Sequence, residues 1–230
     1  LYSPDLLISV TLTGQLGLLM LIECITKAGG KAISANTDGV VVLCSKADLQ
    51  KIRDAMFEFE LVSGFKLEET HYKSIHIESV NNYIAVKTDG KTKGKGIFAP
   101  ASLMKNPTFP ICSEAVRAWA STGKNPKQTI DECKDVSKFL AVRTVTGGGV
   151  WAGDPLGKVV RWYVSNNGIA QPIVYLKSGN KVPKTDMAIP MMTLTDDLPS
   201  DLDKQYYQNE AMKMIQRTGV TWTRKQLNGL

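Results

Sequence analysis

The chain has 230 residues, 43% hydrophobic and 22% charged, with a formal net charge of +6. That length can bury a sizeable core in one or two domains, and the ordinary composition excludes collagen-like, low-complexity and disulfide-framework classes. Residues 1–100 hold 11 Lys/Arg against 11 Asp/Glu, residues 101–194 hold 12 against 6, and residues 195–230 hold 5 against 5. The whole excess therefore lies in the middle-to-late chain, as a phosphate-contacting lobe requires and as a soluble surface rich in lysine also shows.

Residues 5–28 are predicted helical: Leu12, Leu16, Leu19 and Ile22 recur at the 3.6-residue period, and Gly29-Gly30 ends the run. Two β-rich runs, 32–35 and 40–44, then flank Asn36-Thr37-Asp38-Gly39. Asp-Gly between apolar runs is a hairpin signal, because glycine accepts the positive φ of a tight turn. Residues 46–60 form a second amphipathic helix with Leu49, Ile52, Ala55, Met56 and Phe59 on one face. Residues 65–78 and 82–87 read as strands, and Thr88-Asp89-Gly90 turns into another over 91–98.

Pro100, Pro107 and Pro110 mark a linker, which places a domain boundary near 100–110 and gives domains 1–100 and 101–230. Beyond it, 114–121 and 129–139 are predicted helices, the second opening on a Thr129-x-x-Glu132 capping box. Gly147-Gly148-Gly149 breaks the chain, 159–164 and 173–176 are predicted strands, and 203–217 is a final helix. The fold class is α+β: an antiparallel sheet with helices packed on one face, followed by a mixed α/β domain.

Cys24, Cys44, Cys112 and Cys133 stand far apart with no CxxC pair, and His71 and His76 offer no metal spacing with them. A reduced, cytoplasmic compartment without zinc is expected. The longest apolar stretch, 16–22, is short of a membrane span, so no membrane partner is expected. Leu1-Tyr2-Ser3-Pro4 resembles neither a signal nor a transit peptide, and the chain reads as a piece of a longer open reading frame.

Asp38, at the tip of the predicted hairpin, is the candidate chemical group. A carboxylate on a rigid β-turn can present its oxygens to divalent cations, and two-metal phosphoryl transfer needs such groups on a fixed scaffold. A plain turn is the competing reading of the same residues.

Three segments in order resemble the palm of family B DNA polymerases. These are Thr11-Leu12-Thr13-Gly14-Gln15 with its helix, Ala35-Asn36-Thr37-Asp38-Gly39-Val40-Val41-Val42, and the stretch from Tyr72 to Tyr83 with Lys91-Thr92-Lys93-Gly94-Lys95-Gly96 after it. The family reads Thr-x-x-Gly-Arg, a helix, an Asp-Thr-Asp-Ser hairpin, and then Lys-x-Tyr followed by a Lys-x-x-Gly turn. The Asn-Thr-Asp-Gly spelling, with Gly157 to Tyr163 and Asn180 to Pro183, is similar to phage-type members.

The resemblance implies that 1–100 is the C-terminal part of a palm and 101–230 a thumb-like duplex-binding domain. Asp38 matches the aspartate that binds both catalytic Mg²⁺ ions, Tyr83 the tyrosine near the primer end, and Lys95 a lysine near the duplex backbone. Asn36 replaces the first hairpin aspartate, Gly39 replaces serine, and Asn81-Asn82 replace basic residues before the tyrosine, so that contact would rest on amide hydrogen bonds. The parent would be a DNA-directed DNA polymerase acting on primer–template DNA and deoxynucleotides in the host cytoplasm. The second metal aspartate and the nucleotide-binding helix would come from an upstream palm and fingers segment, leaving the 230-residue chain inactive alone. The alternatives are a non-catalytic DNA-binding or accessory module, or another palm nucleotidyltransferase such as a reverse transcriptase or primase-polymerase.

Lys91, Lys93 and Lys95 alternate, so in a strand they line one face, against duplex phosphates or as a guarded edge. Gly147-Gly148-Gly149 is either a phosphate-approaching loop or a connector. Lys158 and Arg161 are candidate phosphate contacts; alternation buries Trp162 with Val160 and exposes Arg161 with Val159 and Tyr163. His71 and His76 decorate a strand. Asp196-Asp197 and Asp201-x-Asp203 form an acidic cluster, part of which Asp203 explains as a helix cap.

Overall fold

A computed structural model describes residues 3–102 and 106–219. The fold is α+β, and every strand pairing among the described residues is antiparallel. The chain divides into two compact units, residues 1–70 and 71–230.

The first unit runs α1 (Pro4–Lys27), β1 (Lys31–Asn36), β2 (Gly39–Leu43) and α2 (Leu49–Ser63). Ser3 caps α1, its hydroxyl accepting from the Leu6 amide at 3.4 Å, and Pro4 takes the first helical position, where no N–H is needed. Leu21 and Ile25 of α1 meet Ile52 and Phe59 of α2, with Val40 and Val42 packed against them from β2. Arg53 donates to both oxygens of Glu69 at 3.1 Å, tying the segment after α2 back to the helix.

The buried face of α1 differs from the predicted one. Leu12, Leu16 and Leu19 are more than half exposed, and the core contacts come from Leu21 and Ile25 near its C-terminal end. So apolar is the helix that its period alone does not choose a face; the partner does. With 24 residues it is also long and apolar enough to cross a membrane by length and composition. The uninterrupted run 16–22 understates this, because Ser9, Thr11, Thr13, Gly14 and Gln15 break the run without adding charge.

The second unit opens with β3 (Tyr72–Ser79), β4 (Asn82–Lys87) and β5 (Thr92–Lys95), a meander in the order β3-β4-β5. The predicted strand over 91–98 stops at Lys95 and continues as a 3₁₀ turn, Gly96–Phe98. Then come α3 (Pro110–Thr122), α4 (Pro126–Glu132), a 3₁₀ turn at Val136–Phe139, and β6 (Ala141–Trp151), β7 (Asp154–Val164), β8 (Val174–Tyr175), β9 (Ala188–Pro190) and α5 (Lys204–Gln216). Strands β6–β9 form a sheet in the order β8-β6-β7-β9.

One large core joins most elements of this unit. Ile111, Ala115 and Val116 of α3, Tyr207, Ala211 and Ile215 of α5, and Val145, Val160 and Trp162 of the sheet are buried together with Ile84 of β4 and Phe98. The shared core explains why compactness divides the chain between Thr70 and His71, whereas the proline-rich stretch places the boundary near 100–110. The polypeptide leaves the meander at Pro100, but its apolar face stays in the same interior.

The capping box predicted at Thr129 does not form. Asn125 caps α4 by accepting from the Lys127 amide at 2.9 Å, Pro126 takes the first turn, and Glu132 ends the helix with its carboxylate bound to Lys124 and Gln128. Gly147-Gly148-Gly149 does not break the chain but lies inside β6 at an irregularity in register with β7. Gly147 and Gly148 take positive φ, and a Cβ on Gly149 would stand 2.9 Å from Val160 and 3.3 Å from Ile173. The glycines shape a bulge and admit core side chains.

Candidate metal-binding turn and nucleic-acid interface

In the first unit, Asn36 pairs with Gly39 across the hairpin, leaving Thr37-Asp38 as the loop. The Asn36 side-chain oxygen accepts from the Thr37 amide at 2.8 Å and from its hydroxyl at 3.2 Å. This amide organises the turn where a carboxylate would bring a second charge. Asp38 is exposed and makes no hydrogen bond or ion pair among the described residues. Its oxygens are free for a ligand from solvent.

The turn does not need its glycine. Gly39 is absent from the positive-φ residues, and a Cβ there would meet nothing within 4 Å. Thr37 and Asp38 also keep negative φ, so the loop is not the left-handed type usual with Asp-Gly. Among the described residues no group of three His, Cys, Asp or Glu side chains could hold a metal. Asp38 is therefore a single outward carboxylate, and a site for two Mg²⁺ ions would need further carboxylates.

In the second unit, the meander brings several predicted contacts to one face. Tyr83 pairs directly with Lys95, and Ala85 with Lys93. Residues directly opposite in an antiparallel pair share a face, so Tyr83, Lys93 and Lys95 stand together, with Ile75 and Ile77 opposite Ala85 and Tyr83 on the next strand. Ile84 and Val86 point the other way and are buried, and Ala85 on the near face is fully buried as well. Lys87, two residues beyond Ala85, lies on the same face by alternation and adds a further positive charge there.

Lys91 falls outside the strand. It sits in the preceding turn, where its ammonium stands 3.6 Å from Asp89 and its amide donates to the same carboxylate at 2.9 Å. Of the three lysines, Lys93 and Lys95 lie on β5 itself. Asn81 is exposed, whereas Asn82 is engaged at both ends: its oxygen accepts from the Ile97 amide at 3.1 Å and its nitrogen donates to the Ser79 hydroxyl at 3.1 Å. Asn82 clamps the turn that carries Lys95. Gly96, at φ 64°, is fitted against it, since a Cβ there would lie 2.0 Å from the Asn82 oxygen.

On β7, Val159 is exposed and Trp162 is buried with Val160, as alternation predicts, while Lys158 is exposed although it has the parity of the buried pair. Arg161 is exposed and donates to the Met192 carbonyl at 2.8 Å, which fixes part of its guanidinium. Tyr163 departs from expectation: it is buried with Val136, Leu140 and Met191 in a second cluster, and its hydroxyl donates to Asp201 at 3.0 Å. The outward face of β7 is covered at this end by the segments before β6 and after β9. Sequence alternation shows which side a residue takes, not what later packs there.

Asp201 also accepts from the Ser165 hydroxyl at 2.8 Å, and Asp203 caps α5 by accepting from the Tyr206 amide at 3.1 Å. These two acids have structural roles. His76 is not a mere decoration, because its ring lies 5.0 Å from that of Trp119 on α3 and burial holds its pKa below the ordinary 6.5. The Cys112 thiol is pushed up to about 12 by burial, which leaves it unreactive.

No protein-family model matches the chain, and a search of curated proteins finds no match either. The functional reading rests on the residues themselves.

Proposed function

We propose that the chain is part of a DNA-directed DNA polymerase, in which Asp38 is a ligand to the catalytic Mg²⁺ ions and the face of Tyr83, Lys93 and Lys95 holds the primer–template duplex. In that reaction the primer 3′-hydroxyl attacks the α-phosphate of a deoxynucleotide, a new phosphodiester bond forms and pyrophosphate leaves. Asp38 would help hold the Mg²⁺ ions, which would supply charge stabilisation for the displacement. The observation that carries the reading is the free, exposed Asp38 carboxylate on a hairpin tip, within an order of motifs that resembles a polymerase palm.

The decisive experiment is Asp38→Ala in the complete protein, read by primer extension. Extension falls by about 10²-fold or more if the carboxylate holds a catalytic metal. Unchanged synthesis sinks the catalytic role. The lack of any metal-holding group of three side chains among the described residues favours one second reading, a duplex-binding module without catalysis. It predicts full DNA affinity together with unaltered synthesis in the same variant. The purified 230-residue chain alone is proposed to be inactive, and detectable primer extension by it would refute that point.

A further inference from the structure

Between α3, the 3₁₀ turn after α4 and the outer face of β6 and β7 lies a cavity of about 530 Å³. That volume falls within the roughly 300–1,000 Å³ of small-molecule sites. The charged side chains that line it are Arg117, Lys138 and Arg161 against Glu114 and Asp135. Prolines and the aliphatic side chains Leu140, Val142 and Leu194 make up much of the rest.

The charges are not evenly matched. Glu114 binds Lys138 at 2.9 Å and its charge is shared with Arg117, so one carboxylate faces two cations. Asp135 is turned toward its own backbone, accepting from the Ser137 amide at 3.0 Å and hydroxyl at 2.6 Å. Arg117 is partly buried, and among the described residues its guanidinium makes one hydrogen bond, to the Ser113 hydroxyl at 3.3 Å. Arg161 spends one nitrogen on the Met192 carbonyl and sits on a strand whose backbone is paired with β9. Two planar cations with unused donors therefore share one cavity. A half-desolvated guanidinium with spare N–H groups is most stable when an anion completes its hydrogen bonds, and the fork geometry suits the paired oxygens of a phosphate.

We propose that this cavity binds a nucleoside phosphate, with Arg117 and Arg161 on the phosphate and the proline and aliphatic wall against the base or sugar. The ligand is either a free nucleotide or one residue of a nucleic-acid strand. The site goes beyond the polymerase reading and does not depend on Asp38 or on the meander face.

The test is calorimetric titration of the 230-residue chain with dAMP, deoxyadenosine, inorganic phosphate and a 5′-phosphorylated single-stranded oligonucleotide. dAMP binds, and deoxyadenosine and phosphate each bind at least about tenfold more weakly, since each lacks one half of the recognition. Arg117→Met and Arg161→Met each lower dAMP affinity by about tenfold or more, whereas Lys51→Gln on the first unit does not. Circular dichroism checks that the variants fold; Arg161 is exposed, so its variant keeps the test alive if Arg117→Met does not fold. Competition between the oligonucleotide and dAMP assigns the site to a strand; oligonucleotide that fails to displace dAMP assigns it to the free nucleotide. Absence of dAMP binding, or binding indifferent to both arginine substitutions, overturns the proposal.

Discussion

Tyr83 on β4 and Lys95 on β5 are direct cross-strand partners, so an aromatic ring and an ammonium leave the meander side by side. Lys93, opposite Ala85, extends the same surface. If these lysines contact phosphates, each neutralised phosphate releases counterions. Lys93→Gln with Lys95→Gln then makes the slope of log affinity against log salt shallower by about 1.8, at about 0.9 per contact. Fluorescence anisotropy of labelled duplex across a salt series measures it. An unchanged slope, with more aggregation in the double variant, assigns the lysines to edge protection instead.

Gly96 and Gly39 give opposite expectations. Gly96 has positive φ and its missing Cβ is replaced by the Asn82 oxygen, so Gly96→Ala destabilises by about 1–3 kcal/mol from backbone strain and also disturbs the Asn82 clamp. Gly39 has ordinary φ and open space, so Gly39→Ser changes stability by no more than about 0.5 kcal/mol. Urea unfolding of the two variants separates them.

Much of the fold was legible in sequence because helices and strands advertise themselves by period. The hairpin around Asp38, the helix below it, strand β4 and the Asp203 cap all lie where the local pattern puts them. Long-range packing was not legible. The core face of α1 is chosen by α2 and β2, Tyr163 is covered by Met191 from a later segment, and the glycines of β6 are fitted to Val160 and Ile173. Arg117 gave no signal either, since a cavity gathers residues that are far apart in the chain. The exposed position of Asp38 followed from its turn, but what completes a metal site cannot be read from one carboxylate.

Tyr207 joins three elements through its hydroxyl, which donates to the Phe139 carbonyl at 2.9 Å and accepts from the Val164 amide at 2.8 Å. Its ring stands edge-to-face to Phe109 and Phe139, each at 5.2 Å. Tyr207→Phe keeps the ring and leaves both backbone groups buried without that partner. The expected cost is about 1–3 kcal/mol for each group left unsatisfied. Thermal melting of the variant checks it, and an unchanged melting temperature would show that the hydroxyl bridges nothing that matters.

His76 gives the second unit a pH response. Burial lowers its folded pKa below the ordinary 6.5, so the folded chain resists protonation. Above 6.5 the imidazole is neutral in both states and stability is full. As pH falls below 6.5 the unfolded chain takes up the proton first, and stability is lost until the lower folded pKa is passed. Melting curves stepped through that window follow the loss, and His76→Phe removes its share while keeping a ring against Trp119.

The first helix has a consequence for handling as well as for architecture. Leu6, Leu7, Ile8, Val10, Leu12 and Leu16 are all more than half exposed along its first four turns. A bare oily rod of this kind seeks a companion, whether detergent micelle, vessel wall or another molecule. Binding curves taken on the 230-residue polypeptide will therefore drift with its concentration unless a mild surfactant occupies that rod.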